Sequence, residues 1–196
     1  MKWIIVGLGN PEPEYKHTRH NAGREVLGHI RDDYRFPDMK YKSLSDASVS
    51  KGVIADRECV LVAPETYMND SGTSVRSFVQ NPDEATQLIV MHDDIDLPLG
   101  TWRLAWDRGS GGHNGVRSVT TMLGTNVYIR IRVGITPVGE DGSAAKPSGA
   151  EAVLAFVLGK FTRDEGEVIG AVSKDISAAL PILMTEGVHK AMDKFN

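Results

Sequence analysis

The apolar residues of this chain recur in short continuous runs separated by segments with helical spacing. Residues 2–8 form a β-branched run ending at Gly7-Leu8-Gly9, which reads as a buried strand delivering a loop. Pro11 and Pro13 block a helix early in the polar stretch 10–21. Over residues 22–34 the spacing turns helical, with Val26, Leu27 and Ile30 on one face. Residues 59–63 and 87–92 are further strand-length runs, and 66–79 between them predicts a helix. Residues 102–106 and 128–135 read as additional strands, with a short helix at 116–123 behind a glycine-rich loop. Residues 137–149 form the one long loop, expected to be mobile. A helix is predicted over 150–158, and Thr162-Arg163-Asp164-Glu165 reads as the N-cap and charged first turn of a long C-terminal helix. Strands alternating with helices predict an α/β layered fold with a mixed, largely parallel sheet. No internal repeat or low-complexity tract divides residues 1–196, so one domain is expected.

Composition narrows this picture. A chain of 196 residues with 41% hydrophobic and 24% charged residues can bury a sizeable core and carries no disorder signature. No run of eighteen apolar residues predicts a membrane span, and the N-terminus lacks the apolar segment and cleavage site of a secretory signal. The single cysteine, Cys59, lies in an apolar run and reads as a small buried hydrophobe. One cysteine cannot form an intrachain disulfide, which suits a reducing, cytoplasmic setting. The net charge of −4 argues against nonspecific coating of nucleic acid but leaves room for a local basic patch.

Candidate chemistry clusters where strands end. Gly7-Leu8-Gly9 lacks the third glycine of a dinucleotide fingerprint, since Glu12 stands in its place. The pair is expected to turn the chain so that Asn10 projects. His20 lies in the next loop, and parallel strands would bring Asp93 to the same sheet edge. A carboxylate facing an imidazole fixes its tautomer and stabilises the imidazolium formed when it takes a proton. His92, Asp93, Asp94 and Asp96 lack calcium-loop spacing, and no His-Glu-x-x-His offers a zinc site. No metal or cofactor is therefore expected, and Asp94 and Asp96 read as a solvated acidic turn. The segment Arg108-Gly109-Ser110-Gly111-Gly112-His113-Asn114-Gly115 can cradle an anion but is not a Walker loop. No Gly-x-Ser-x-Gly elbow supplies a nucleophile. A histidine, a carboxylate and asparagines remain, a set suited to activating water and stabilising an oxyanion.

The residues that make up these clusters occur together in one known family. Val-Gly-Leu-Gly-Asn-Pro (6–11), Tyr15 with Thr18-Arg19-His20-Asn21-Ala22-Gly23, Tyr67-Met68-Asn69 with Ser71-Gly72, His92-Asp93-Asp94, Gly111-Gly112-His113-Asn114-Gly115, Arg130-Ile-Arg132-Val-Gly134 and Val157-Leu158-Gly159-Lys160-Phe161 resemble bacterial peptidyl-tRNA hydrolase, in its order and spacing. The resemblance implies a three-layer sandwich and hydrolysis of the ester between a peptide and the 3′-terminal ribose of tRNA. It implies a catalytic set of His20 as base, Asp93 as its support, and Asn10 and Asn114, with Asn69 also lining the cleft for peptide and CCA end. Tyr15, Asn21, Tyr67, Met68 and His113 are implied as neighbouring substrate-binding residues. Arg103, Arg108 and Arg132 are expected to meet phosphates of the acceptor stem. The family commonly carries a basic residue where Ala105 stands, clamping the tRNA 5′-phosphate together with the arginine at position 132; here half of that clamp is missing. A monomer is expected. The rival expectations are a noncatalytic RNA-binding protein on the same scaffold, or a hydrolase of other N-acyl esters.

Overall fold

The computed structural model describes residues 2–139 and 142–196. Seven strands form one sheet among these residues: β1 (Trp3–Gly7), β2 (Lys40–Lys42), β3 (Ala47–Ile54), β4 (Arg57–Pro64), β5 (Leu88–Pro98), β6 (Trp102–Trp106) and β7 (Ile129–Thr136). Their order is β2-β3-β4-β1-β5-β7-β6. The central strands β4, β1, β5 and β7 run parallel, while β2, β3 and β6 join antiparallel at the two sides.

Helices cover both faces, as the continuous apolar runs of parallel strands require. Against one face pack α1 (Ala22–Asp33), α6 (Arg163–Glu186) and α7 (Val188–Phe195), around Ile5, Leu61, Ile89 and Ile131. Against the other lie α2 (Ser71–Arg76) and α4 (Asn114–Leu123), around Val6, Val62 and Val90. The short α3 (Pro82–Ala85) leads into β5, and α5 (Ala150–Leu158) stands near the sheet's carboxyl edge. The result is a three-layer sandwich with a mixed, largely parallel sheet. By length and composition α6 could cross a membrane, but half of its most apolar window is buried, with Ile169, Val172, Ile176 and Leu180 in the core.

Several elements differ from the sequence expectation. The predicted helix over 66–79 is a 3-10 turn, Met68–Asp70, followed by the six-residue α2. The long C-terminal helix breaks at Gly187, whose φ of +89° separates α6 from α7. In the predicted loop 137–149, residues 140 and 141 lie outside the described residues. Gly7 and Gly9 do not turn the chain, since neither has a positive φ. They admit close packing instead: a Cβ at Gly7 would lie 2.5 Å from the Gly23 carbonyl oxygen, and one at Gly9 would lie 2.9 Å from Asn21 Oδ1. The glycines thus seat the start of α1 against the end of β1.

Candidate active site

The connections from β1 and β5 leave in opposite directions, so their carboxyl ends flank the crevice where open α/β sheets place ligands. The loop after β1 ends in a 3-10 turn, Arg19–Asn21, that presents His20 at this crevice. Asp93 does not lie beyond a strand. It sits inside β5, in register with Val133, because pairing with β7 continues past the apolar run to Asp94. Side chains alternate along a strand, so Asp93 and Asp94 point to opposite faces. The parallel pairing of β1 and β5 brings the His20 loop and Asp93 together.

His20 Nδ1 donates to the Asp93 carboxylate at 3.0 Å (Oδ1) and 3.1 Å (Oδ2). Asp93 accepts a second bond at Oδ1, 2.9 Å from His113 Nε2. His113 is also the N-cap of α4, and its Nδ1 accepts from the backbone N–H groups of Gly115 (3.1 Å) and Val116 (3.3 Å). That cap leaves the ring proton on Nε2, the atom that faces Asp93. It also occupies the α4 N-terminus, so an anion held by the glycine-rich loop would not be held by these first helical N–H groups. The His20 and His113 rings lie 4.9 Å apart between centroids.

Burial alone would favour a protonated, neutral Asp93. The charges and hydrogen bonds of the two histidines hold its pKa far below the usual carboxylate range. For His20, burial favours the neutral ring, but the Asp93 charge and hydrogen bond outweigh it and raise the pKa above 6.5. His20 Nε2 makes no hydrogen bond among the described residues, and the ring lines a cavity of about 410 Å³. In the sheet beside it, His92 donates from Nδ1 to the Asp93 carbonyl at 2.7 Å. Burial, and then the neighbouring His113, hold His92 neutral.

Asn10 and Asn21 fix one another. Asn21 accepts from the Asn10 backbone N–H at 2.8 Å and donates from Nδ2 to the Asn10 carbonyl at 3.0 Å. Asn10 Oδ1 in turn accepts from the Met68 backbone N–H at 2.8 Å, which leaves the Asn10 amide protons as its free donors. Asn114 lines the same cavity as His20, with its Oδ1 accepting from Arg117 at 2.7 Å. Asn69 and Tyr67 are exposed on the adjoining turn, and Tyr15 is half-buried in the loop before His20.

Among the described residues, His20, Asp93 and His113 alone bring three possible metal-ligand atoms within 4.8 Å of one another. His20 Nδ1, His113 Nε2 and the Asp93 carboxylate already serve the hydrogen bonds just described. A cation bound among them would compete with those bonds, so the chemistry of this set fits proton transfer better than metal binding.

A second cavity, of about 350 Å³, adjoins the first and shares Asp94, Ser110 and Gly111 with it. Arg108, Arg130 and Arg132 line it. Asp94 is not part of a solvated turn: its carboxylate accepts from Arg132 Nε at 2.6 Å. Arg130, only 4% exposed, makes no side-chain hydrogen bond or ion pair among the described residues. Burial, and the like charges of Arg132 and Arg108, lower its pKa. It pairs in register with Ala105 across β6 and β7. Arg103 lies in register with Arg132 on the same sheet but is exposed, outside the cavity wall, and donates to its own neighbour's carbonyl, that of Trp102. In the sequence Arg130 enters only through the Arg130-Ile-Arg132-Val-Gly134 motif, not among the residues expected to meet phosphates. Its signal was that, of the two arginines in an otherwise largely apolar strand, it is the one opposite a small residue. The wall that α5 adds to the first cavity was not foreseen either.

Comparison with known proteins places these features in a family. The profile of the family described as peptidyl-tRNA hydrolase matches residues 4–196. A peptidyl-tRNA hydrolase of Dehalococcoides mccartyi is 40% identical over 194 residues, covering 98% of this chain and 98% of the relative. One from a Roseiflexus species is 38% identical over 197 residues, covering 99% of this chain and 85% of the relative. The crystal structure of peptidyl-tRNA hydrolase from Acinetobacter baumannii superposes with a TM-score of 0.87 at 33% identity, covering all of this chain and 94% of that one.

Proposed function

Because the chain belongs to the peptidyl-tRNA hydrolase family, we propose that it hydrolyses the ester between a peptide and the 3′-terminal ribose of tRNA, with His20 as general base. The observation that carries this reading is the His20–Asp93 hydrogen bond through Nδ1, which leaves the Nε2 lone pair facing the cavity. Nε2 takes a proton from water as the water attacks the ester carbonyl. Asp93 holds the ring and stabilises the imidazolium that forms. His113 acts through Asp93, as its second donor, and keeps the carboxylate ionised and aimed.

The tetrahedral oxyanion needs uncharged donors, and the free amide protons of Asn10 and Asn114 supply them. Asn69, with Met68 and Tyr67 beside it, receives the peptide backbone. As the tetrahedral intermediate collapses and the C–O bond breaks, the His20 imidazolium returns the proton to the departing ribose oxygen, and no covalent enzyme intermediate is needed. The acceptor stem crosses the second cavity, where Arg130, facing Ala105, supplies the cation that position 105 lacks for the 5′-phosphate.

The test is turnover of an N-blocked aminoacyl-tRNA by wild type and His20→Ala, with EDTA present throughout. Loss of the base is expected to lower the rate by about 10²–10⁴-fold. Equal rates for the two proteins would remove His20 from the reaction, and loss of wild-type activity in EDTA would overturn the metal-free mechanism.

A further inference from the structure

The base does not face a uniformly polar pocket. Besides His20, Asp93 and Asn114, the same cavity is lined by Ile95 of β5 and by Val153, Leu154 and Val157 of α5. In α5, the cavity-lining residues Ala150, Val153, Leu154 and Val157 follow the i, i+3, i+4, i+7 spacing of one helical face. The helix carries a single charged residue, Glu151, yet buries only Val157. Leu154 is 57% exposed and Leu158 37%. So apolar a helix packs Val157 and Phe156 into the fold but leaves Leu154 and Leu158 open beside the histidine.

We propose that this wall is a subsite for the side chain of the amino acid esterified to the tRNA, and that it favours large aliphatic side chains over charged ones. The inference rests on the peptidyl-tRNA reading above. Its geometry follows from the reaction. The ester carbonyl carbon must lie about 3–3.5 Å from the water held by His20. The α-carbon is one bond further, so its side chain must contact a wall of this cavity. The polar wall takes the water and oxyanion, and Ser110, Gly111 and Gly112 offer no apolar side chain, so the Ile95, Val153, Leu154 and Val157 surface is the part of the lining that suits an aliphatic group. An aliphatic side chain there removes apolar area from water on both partners. A carboxylate there would be desolvated within reach of the Asp93 charge and unpaired.

The experiment charges one tRNA body with N-acetyl-leucine or N-acetyl-aspartate, so that the two esters differ only in the side chain. Each kcat/KM is divided by the spontaneous hydrolysis rate of that ester. For the wild type, the leucyl ester is expected to lead by about tenfold or more, the scale of apolar-pocket discrimination. Leu154→Lys, at an exposed position that tolerates the change, should reverse part of that preference by pairing with the aspartate. Leu154→Ala should weaken it without reversal. Equal normalised rates in the wild type, or a ratio untouched by both variants, would overturn the subsite while leaving the hydrolase reading intact. Hydrolysis of neither ester would overturn the hydrolase reading and the subsite together.

Discussion

Asp93 accepts from two imidazoles, and each ring is fixed by a different neighbour. His113 is locked by the backbone it caps, while His20 is locked only by Asp93 itself. The pH profile should expose this difference. As the proposed base, His20 would work in its neutral form, and its pKa is raised, so kcat/KM should fall as pH drops through a value above 6.5. Asp93→Asn removes the charge that raises it. The acidic limb should then move to lower pH while the plateau drops by about 10²–10⁴-fold from lost orientation. A limb that stays in place would assign the titration to another group. Arg130 offers a second test on a single side chain. Arg130→Met keeps the stem and removes the unpaired charge, and should raise KM about tenfold, the worth of one charge-assisted phosphate contact. The increase should vanish on substrate lacking the 5′-phosphate. An equal increase on both substrates would place the phosphate elsewhere.

Elements hold the site through a link that runs from the catalytic turn to the C-terminal helices. Arg19, next to His20, lies over the Phe156 ring at 4.7 Å and the Phe161 ring at 5.5 Å. It donates to both Glu165 carboxylate oxygens at 2.9 Å and to the Lys160 carbonyl at 3.0 Å. Glu165 belongs to the capping box that opens α6, so one guanidinium joins the turn, α5 and α6. Arg19→Ala should lower unfolding free energy by about 1.5–3 kcal/mol, read from the urea midpoint, through loss of charge-assisted bonds in a largely buried setting. It should also lower kcat, because His20 loses its brace. The same elements show what was legible beforehand. The helix over 150–158 and the Thr162 cap stand out in the sequence because periodicity and capping chemistry are local. The β2–β3 hairpin does not, because β2 is Lys-Tyr-Lys, wholly exposed, and β3 interleaves Ser48, Ser50, Lys51 and Gly52 with its apolar positions. Only tertiary pairing with β4 makes it a strand. His20 and Asp93 were readable because the loop after one apolar run and the end of another fall at the same edge of a parallel sheet. The aim of His113 at Asp93, twenty residues away, and the apolar wall of α5 depend on packing that no local pattern reports.

At the scale of the whole molecule, charge distribution matters more than charge sum. The chain carries a net charge of −4, yet Arg108 and Arg130 present cations in the cavity beside the active site without an ion-pair partner among the described residues. Arg132 contributes less, since Asp94 already neutralises it. Counterion release from a polyanion scales with the number of phosphates neutralised, with a slope of about −0.7 to −0.9 per contact. Two or three contacts give a slope of roughly −1.4 to −2.7, so a rise from about 50 to 200 mM salt should cost about tenfold in kcat/KM. A broadly basic protein would lose several orders of magnitude over that range. Arg130→Met should flatten the slope by about one unit, whereas Leu154→Ala should leave it unchanged. A wild-type slope near zero would mean that tRNA is held by contacts other than these arginines. A slope unaltered by Arg130→Met would show that the buried guanidinium never meets a phosphate. If binding draws on a few placed charges against a repulsive background, as proposed, off-site tRNA contacts are disfavoured and tRNA is steered toward the cationic cavity that adjoins His20.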